Sequence, residues 1–323
     1  MIQLPDKKDQ NPLETNPVRF LSVSGAESGQ RLDNYLMRVL QGVPKARVYR
    51  AIRKGEVRVN KGRAKPETKL ATDDTIRIPP FAESRKSGGS TSSKWIHTLS
   101  RRVVLDERDL LVLDKPPGLA VHGGSGIDVG LIETLRLMYP DERYLELVHR
   151  LDRDTSGLIM IARRAATLRT LHGLLRKDGV DKRYQCLIAG RWPASLTHID
   201  APLEKYSLPS GERLVKVTAS GKGARTEFRV LRRLQGATLI EAKPITGRTH
   251  QIRVHCRHAG FPILGDEKYS TPATETLTGA IGLPRLFLHA ASLRFQLDGE
   301  ELSLESPLPD ELTAVLNKLP SGK

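Results

Sequence analysis

A segment of twelve residues about a quarter of the way along the chain divides the sequence into two parts. Eight of the residues from Glu83 to Lys94 are Ser, Thr or Gly, which cannot provide an apolar face for packing against a core. This composition predicts a flexible linker, which we place at 81–100. A chain of 323 residues interrupted in this way is expected to fold as two domains.

The flanking parts differ in size. We expect a flexible tail over 1–24, which carries three prolines and no apolar periodicity, followed by a small module over 25–80 and a larger domain over 101–323. No window approaches the roughly 18 consecutive apolar residues of a membrane span, and there are only two cysteines. The sequence therefore favours a cytoplasmic protein without membrane association and with reduced, buried thiols.

The small module is strongly basic. Apolar residues recur at helical spacing over 32–40 and 48–52, and two short strands are expected to follow. Between Gln30 and Ile78 there are thirteen Lys or Arg and five Asp or Glu, so more than half of the chain's net charge of +15 lies here. Such clustering favours a polyanionic partner over an evenly charged, solubilising surface.

The basic side chains of the second predicted helix are the candidates for RNA contacts. They are Lys45, Arg47, Arg50, Arg53 and Lys54. Matches at 31–33 (RLD), 50–52 (RAI), 55–57 (GEV) and 59–62 (VNKG) make the module similar to an S4 RNA-binding domain. The alternative is a basic helical hairpin without a ligand. S4 domains occur in several classes of protein, so this resemblance implies RNA without naming a reaction.

The larger domain mixes strands and helices without a regular alternation. A hairpin is predicted at 103–105 and 110–113, and helices at 131–138 and 168–175. Further strands are predicted at 184–188, 224–231, 238–243 and 286–293. Because no βαβ pattern is present, the spacing favours a mixed, mainly antiparallel sheet with a central cleft, and the chain's fold class is α+β.

One carboxylate in the segment 149–157 (HRLDRDTSG) has an unusual setting. Asp152 lies between apolar residues at 145–151 and 158–162, so the segment is predicted to be a turn between two buried strands. A carboxylate in such a turn is expected to be partly buried and paired. Asp154 lies in the same turn, and either residue could instead cap the backbone or pair with a neighbouring arginine.

The order His-Arg-Leu-Asp followed by Thr-Ser-Gly resembles the catalytic segment of the RluA family, the RNA pseudouridine synthases of the ribosomal large-subunit type. The resemblance implies that Asp152 is the catalytic nucleophile, because the family's aspartate directly follows Arg-Leu. It also implies that Arg150 fills the space left when the target nucleotide is flipped out of the RNA. Extruding a base costs a few kcal/mol unless something replaces the lost stacking.

Two further segments carry the same resemblance. In the run 246–255 (TGRTHQIRVH), Arg253 matches the family's arginine that pairs with the catalytic aspartate, and Ile252 beside it is a candidate for substrate binding. A guanidinium keeps a carboxylate ionised and oriented in a partly dry site. In the segment 182–184 (KRY), Tyr184 matches a tyrosine that stacks on the target base and is also proposed for proton transfer from C5.

Other roles are open to residues in these segments. Arg253 could bind a phosphate, although Arg248 suits that role better. The four His and Cys residues within 250–258 match no zinc motif, so we expect no metal site. Matches to the family at 114–118 (DKPPG) and 265–266 (GD) are interpreted as scaffold.

The resemblance extends over most of the chain, with the motifs in the family's order. It implies a cofactor-free isomerase that converts uridine to pseudouridine in RNA. The implied RNA is 23S ribosomal RNA or a large-subunit precursor, with several target uridines near the peptidyl-transferase centre. We expect the enzyme to be a monomer. Three routes stay open for Asp152: attack on C1′, addition to C6, or removal of a C2′ proton.

Two functions of other classes fit parts of the sequence. A non-enzymatic ribosome-assembly factor would use the basic module alone, which leaves the acid, arginine and tyrosine motifs without a role. A glycoside hydrolase would also use an aspartate at a glycosidic bond. Hydrolysis needs a second carboxylate about 5 to 10 Å away, and none stands out in the sequence.

Overall fold

The structure, a computed structural model, divides the chain into two compact units. The described residues are 17–40, 43, 45–81, 90–123 and 129–322. The division falls between 89 and 90, and only 164–166 depart from this order. Within the described ranges, no helix is both long and apolar enough to cross a membrane.

The first unit packs two helices against a small antiparallel sheet. Its elements are β1 (Arg19–Ser22), α1 (Leu32–Val39), α2 (Lys45–Lys54), β2 (Arg58–Val59), β3 (Gly62–Arg63) and β4 (Thr75–Ile78). The strands are ordered β1-β4-β2-β3. Apolar residues spaced along the helices, including Leu36, Val48 and Ile52, are buried with Ile76 and Ile78 of the sheet. The predicted helices and short strands are therefore present.

The structure differs from the expected flexible tail at 17–24. All four residues of β1 pair with β4, and Val23 is buried in the core of the unit. Four residues are too few to show a clear alternation of apolar and polar side chains. The nearby prolines therefore favoured a flexible tail over a strand. The remainder of the expected tail, 1–16, lies outside the described residues.

The second unit is built on a ten-stranded sheet. Its strands are β5 (Val103–Asp106), β6 (Leu110–Lys115), β7 (Glu146–Leu147), β8 (Ser156–Ala162), β9 (Val180–Ala189), β10 (His198–Asp200), β13 (Arg225–Leu234), β14 (Ala237–Pro244), β15 (Leu288–Leu297) and β16 (Glu300–Glu305). Two more strands, β11 (Leu203–Ser207) and β12 (Arg213–Val217), form a separate hairpin. The helices are α3 (Ser90–Ser100), α4 (Leu131–Met138), α5 (Ala165–Arg176), α6 (Gln251–His258), α7 (Pro272–Ala280) and α8 (Asp310–Lys318).

The main path through the large sheet is β10-β13-β14-β9-β15-β8-β6-β5, with β7 beside β8 and β16 beside β15. Among the described strands, only β8 and β15 pair in parallel. The predicted hairpin is β5–β6, and the predicted later strands are β9, β13, β14 and β15. The predicted mixed, mainly antiparallel sheet and the α+β class are confirmed.

The expected flexible linker at 81–100 is wrong over 90–100, where the structure has α3. Leu99 of this helix is fully buried in the core of the second unit, together with Leu111 of β6 and Leu135 of α4. Burying one leucine contributes about 2 kcal/mol, which favours the helix despite its Ser- and Thr-rich start. Residues 82–89 lie outside the described part of the chain.

A glycine allows the parallel contact at the centre of the sheet. Gly157 has a φ of +108°, and a Cβ there would lie 2.3 Å from the carbonyl oxygen of Ala290. Only glycine permits this approach. Ala290 pairs with Gly157 on one side and with Tyr184 of β9 on the other. The register therefore brings the turn that contains Asp152 close to Tyr184.

Candidate active site

A cavity of about 450 Å³ opens between the turn that precedes β8, the start of β9 and the loop that leads into α6. The cavity is lined by all five site residues that the sequence predicts in this domain, namely Arg150, Asp152, Tyr184, Ile252 and Arg253. The charged lining also includes Arg176, Lys182 and Arg248. Asp152 is therefore one carboxylate among five cations.

Asp152 is held by one of its two oxygens. Its Oδ2 accepts a hydrogen bond of 3.2 Å from Arg253 Nη1 and lies 3.9 Å from His250 Nε2. No described residue donates a hydrogen bond to Oδ1, and the side chain is 17% exposed. The rival carboxylate, Asp154, pairs with Arg153 at 3.0 Å and does not line the cavity.

Arg253 is fixed from behind by a second carboxylate. Its Nε and Nη2 each donate a hydrogen bond of 2.7 Å to Asp266, which is 1% exposed. Burial alone would lower the pKa of Arg253, but its hydrogen bonds to Asp266 and the nearby charge of Asp152 raise it above the usual range. The guanidinium is therefore a permanent cation beside Asp152. From the sequence, Asp266 is interpreted only as scaffold, and the structure shows that it orients Arg253.

Tyr184 presents its ring to the cavity. The side chain is buried, and no described residue forms a hydrogen bond with its hydroxyl. Burial first, and then the charge of Asp152, raise the pKa of Tyr184 well above that of a free phenol. A neutral phenol beside a carboxylate suits stacking on a base better than proton abstraction.

The remaining cations of the lining have few protein partners. Among the described residues, none forms an ion pair or hydrogen bond with the side chains of Arg150, Arg176 or Lys182, and burial lowers the pKa of Lys182. The side chain of Arg248 donates one hydrogen bond, from Nε to the carbonyl oxygen of Gly223. The donors of these side chains are therefore available to an anionic ligand.

Comparison with known proteins agrees with this geometry. A family model described as RNA pseudouridylate synthase matches residues 109–258. The chain is 47% identical to the Ribosomal large subunit pseudouridine synthase C of Pasteurella multocida (strain Pm70), over 98% of each chain. It is 46% identical to the protein of that name from Escherichia coli (strain K12), over 96% of this chain and 99% of that one. The chain belongs to the RNA pseudouridylate synthase family.

A solved structure and a second family model extend the match. Human RNA Pseudouridylate Synthase Domain Containing 4 superimposes with a TM-score of 0.59 at 26% identity, covering 72% of this chain and 99% of that one. The model of the S4 domain matches residues 30–76. The chain is a pseudouridine synthase with an S4 domain, and both resemblances drawn from the sequence are confirmed.

The basic side chains of the S4 domain lie on a surface of their own unit. Arg47, Arg50, Arg53 and Lys54 are exposed along α2, whereas the side chain of Lys45 lies outside the described part of the structure. The guanidinium carbon of Arg47 also lies 5.7 Å from the centre of the Phe81 ring. Their proposed contacts with RNA remain a prediction.

Two side chains hold the turn that carries Asp152 in the synthase. The ammonium of Lys115 donates to three backbone carbonyls at 2.8 to 3.0 Å, including that of Arg153. His149 accepts the backbone N–H of Met160 at Nε2, and burial lowers the pKa of His149 to about 3. His149 is therefore neutral at pH 7 and acts as a hydrogen-bond acceptor.

His250 faces Asp152, a position that sequence reasoning did not assign to it. Its backbone is left-handed, with φ 54° and ψ 21°, which costs roughly 1 to 2 kcal/mol for a residue other than glycine. Its Nδ1 lies 2.7 Å from the hydroxyl of Tyr269, and burial lowers the pKa of His250. The sequence signal was only its place three residues before Arg253.

Neither cysteine is among the residues that line the cavity. Cys186 and Cys256 are free and buried, as predicted, and burial raises the pKa of the Cys256 thiol. Across the described residues, no three His, Cys, Asp or Glu side chains are grouped so that they could hold a metal ion.

Proposed function

We propose that this synthase isomerises uridines of 23S ribosomal RNA or its precursor, with Asp152 as the nucleophile. The observation that carries the proposal is the charge of the cavity, where a single partly exposed carboxylate is surrounded by cations. The substrate is supported by the relatives, whose names assign them to the large ribosomal subunit. Several uridines near the peptidyl-transferase centre are the proposed targets.

The lining suits a nucleotide that has been flipped out of the RNA. Arg176, Lys182 and Arg248 can meet phosphodiester groups, and Tyr184 can stack on the uracil. Base–aromatic stacking contributes about 1 to 3 kcal/mol. The exposed Arg150 is free to occupy the vacancy in the RNA, which offsets part of the cost of extrusion.

The reaction breaks the N1–C1′ bond, rotates the uracil and joins C5 to C1′. C5 loses a proton and N1 gains one, so the product has the composition of the substrate. Attack on C1′, addition to C6 and removal of a C2′ proton all require an ionised carboxylate at the nucleotide. Arg253 places its positive charge and a hydrogen bond at Oδ2 of Asp152, and Oδ1 is the oxygen left to react.

The rest of the proposal follows from this chemistry. An isomerisation consumes no co-substrate and transfers no electrons, so we propose that the enzyme needs no cofactor. We also propose that it acts as a monomer in the cytoplasm, where ribosomal RNA is available. A glycoside hydrolase is disfavoured, because among the described lining residues only Asp152 is a carboxylate.

Tritium release tests the proposal. The full-length protein is incubated with a large-subunit RNA transcript that contains 5-tritiated uridine, and RNA binding is measured in parallel. Release into water with no free uracil is the expected result. Binding without release would instead support an assembly factor, and free uracil would support a hydrolase.

Mapping of pseudouridines tests the choice of RNA. In cells that lack this protein, we expect uridines near the peptidyl-transferase centre to stay unmodified. The wild-type gene should restore them, and a gene encoding Asp152→Asn should not. Unchanged ribosomal RNA, with losses in other RNAs only, would show that the proposed substrate is wrong.

A further inference from the structure

Two side chains behind Asp152 form a connected series of contacts that ends at its carboxylate. His250 Nε2 lies 3.9 Å from Asp152 Oδ2, and His250 Nδ1 lies 2.7 Å from the Tyr269 hydroxyl. That hydroxyl accepts the backbone N–H of Val215, on β12, at 3.0 Å. The series therefore links the backbone of a strand to the carboxylate through one phenol and one imidazole.

The N–H of Val215 limits the hydrogen bonds that the Tyr269 hydroxyl can make. Since this N–H already donates to the phenolic oxygen, the 2.7 Å contact with His250 Nδ1 is the place where the hydroxyl can donate its own hydrogen. A neutral imidazole that accepts at Nδ1 carries its own hydrogen on Nε2, the nitrogen that faces Asp152. Protonating both ring nitrogens would leave the Tyr269 hydroxyl hydrogen without this acceptor.

Burial acts in the same direction on both side chains. It lowers the pKa of His250, which favours the neutral ring at pH 7. It also raises the pKa of Tyr269 to about 12, so that the phenol keeps its hydrogen. The geometry of the hydrogen bonds and the charge states therefore agree.

The backbone of His250 indicates that the position is kept for its side chain. The residue precedes α6 in the left-handed conformation, and its side chain makes no capping hydrogen bond to the helix. Glycine or asparagine would adopt this conformation at lower cost. Strain of this kind is typical of functional positions, where a side chain is needed in one place.

Tyr269 contacts the other partner of Asp152 as well. The guanidinium carbon of Arg253 lies 5.1 Å from the centre of the Tyr269 ring, and the His250 ring packs edge-on against it at 5.5 Å between centroids. One buried phenol therefore supports both groups that face Asp152 Oδ2.

We propose that His250 is a positioning residue for Asp152 and that Tyr269 sets its tautomer. The Nε2–H moves into hydrogen-bond distance of Oδ2 when the nucleotide closes the cavity, as contacts in active sites often shorten on substrate binding. Together with Arg253 it keeps Oδ1 directed at the nucleotide. The inference rests on the proposed function, because it takes Asp152 as the reacting group.

Nitrogen-15 NMR of the full-length protein with labelled histidines tests the tautomer. The signals of His250 are identified by their absence from the His250→Asn variant. We expect the hydrogen on Nε2 at pH 7.5 in the wild type. A hydrogen on Nδ1, or on both ring nitrogens, would overturn the proposal.

Kinetics of His250→Asn test the positioning role. Asparagine tolerates the left-handed backbone but is too short to replace the imidazole. We expect kcat to fall about tenfold, the worth of one ordinary hydrogen bond, with KM within about twofold of the wild type. The midpoint of urea unfolding should be unchanged or higher. A lower midpoint with an unchanged kcat would indicate a structural role only and overturn the proposal.

Tyr269→Phe removes the hydroxyl alone and should also lower kcat about tenfold. Tyr206→Phe, a hydroxyl deletion on β11 away from the cavity, is the matched control and should stay within about twofold of the wild type. If the wild type releases no tritium, the proposed function fails and the NMR result still decides the tautomer. If the wild type is active and both site variants turn over normally, only this inference fails.

Discussion

Arg253 makes two hydrogen bonds of 2.7 Å to Asp266, and only its remaining terminal nitrogen contacts Asp152. The cation of the proposed active site is therefore oriented by a carboxylate that does not line the cavity. Arg253 and Asp266 are both almost completely buried. If one of them is removed, water cannot take its place beside the other.

Asp266→Asn should accordingly affect both stability and turnover. We expect the free energy of unfolding to fall by about 3 kcal/mol, because breaking a buried pair leaves a charge without its partner. The turnover number should fall more than about tenfold, since Arg253 is no longer fixed beside Asp152. Urea denaturation and tritium release measure the two effects. Glu267→Gln changes the adjacent exposed carboxylate and should leave both near wild-type values.

Asp152→Asn should abolish turnover and preserve binding. The amide keeps the shape of the side chain but is neither a nucleophile nor a base, and all three routes need the carboxylate. Tritium release at saturating RNA and filter binding separate the two properties. Asp154→Asn, two residues along the same turn, is the control and should retain activity. Near wild-type conversion by Asp152→Asn would remove this residue from the chemistry.

The sequence was sufficient for the features that depend on local pattern. Apolar runs and turn residues located most strands of the large sheet, and the motif around Asp152 placed that residue in a turn before a buried strand. Short elements were missed where local composition was misleading. β1 is only four residues long, and α3 begins with Ser and Thr but is stabilised by the burial of Leu99.

The support of the site was not predictable from local pattern, because it depends on tertiary contacts. Tyr269 meets the backbone of Val215 across 54 positions, and the chain's turn after α6 is what brings Asp266 to Arg253. A sequence pattern gives no measure of such contacts. The motif was enough to identify Arg253, but Asp266 and Tyr269 could be identified only from the folded structure.

His149 should make stability depend on pH. Its pKa is about 3 in the folded protein, against about 6.5 for an unburied histidine. The unfolded chain therefore binds this proton as the pH falls below 6.5, while the folded protein does not bind it until about pH 3. As the pH falls from 6.5 to about 3, the free energy of unfolding therefore decreases by up to about 1.4 kcal/mol per pH unit.

His149→Gln isolates this contribution, because glutamine can accept the N–H of Met160 but does not titrate. We expect the free energy of unfolding of the wild type to fall more steeply between pH 6 and pH 4 than that of the variant. Urea denaturation at intervals of one pH unit provides the comparison. Parallel curves would mean that His149 already binds its proton in the folded protein.

The exposed cations of α2 should contribute affinity for RNA and leave turnover unchanged. Each cation that neutralises a phosphate releases a counterion. For each such contact, log K of binding falls by about 0.7 to 0.9 when the salt concentration rises tenfold. Replacing Arg50, Arg53 and Lys54 by glutamine should therefore weaken binding and reduce the salt slope by about 2 to 3, with kcat at saturating RNA unaltered.

A second triple variant tests whether the position of these charges matters. Lys61, Lys65 and Lys69 are exposed in the same domain but lie outside α2, so their replacement by glutamine removes equal charge elsewhere. If α2 is the contact surface, this variant should keep most of the salt slope, because charges that do not neutralise a phosphate release no condensed counterion. Equal losses in both variants would instead mean that the domain binds through its overall charge. A normal slope in the α2 variant would place the RNA on another face of the domain.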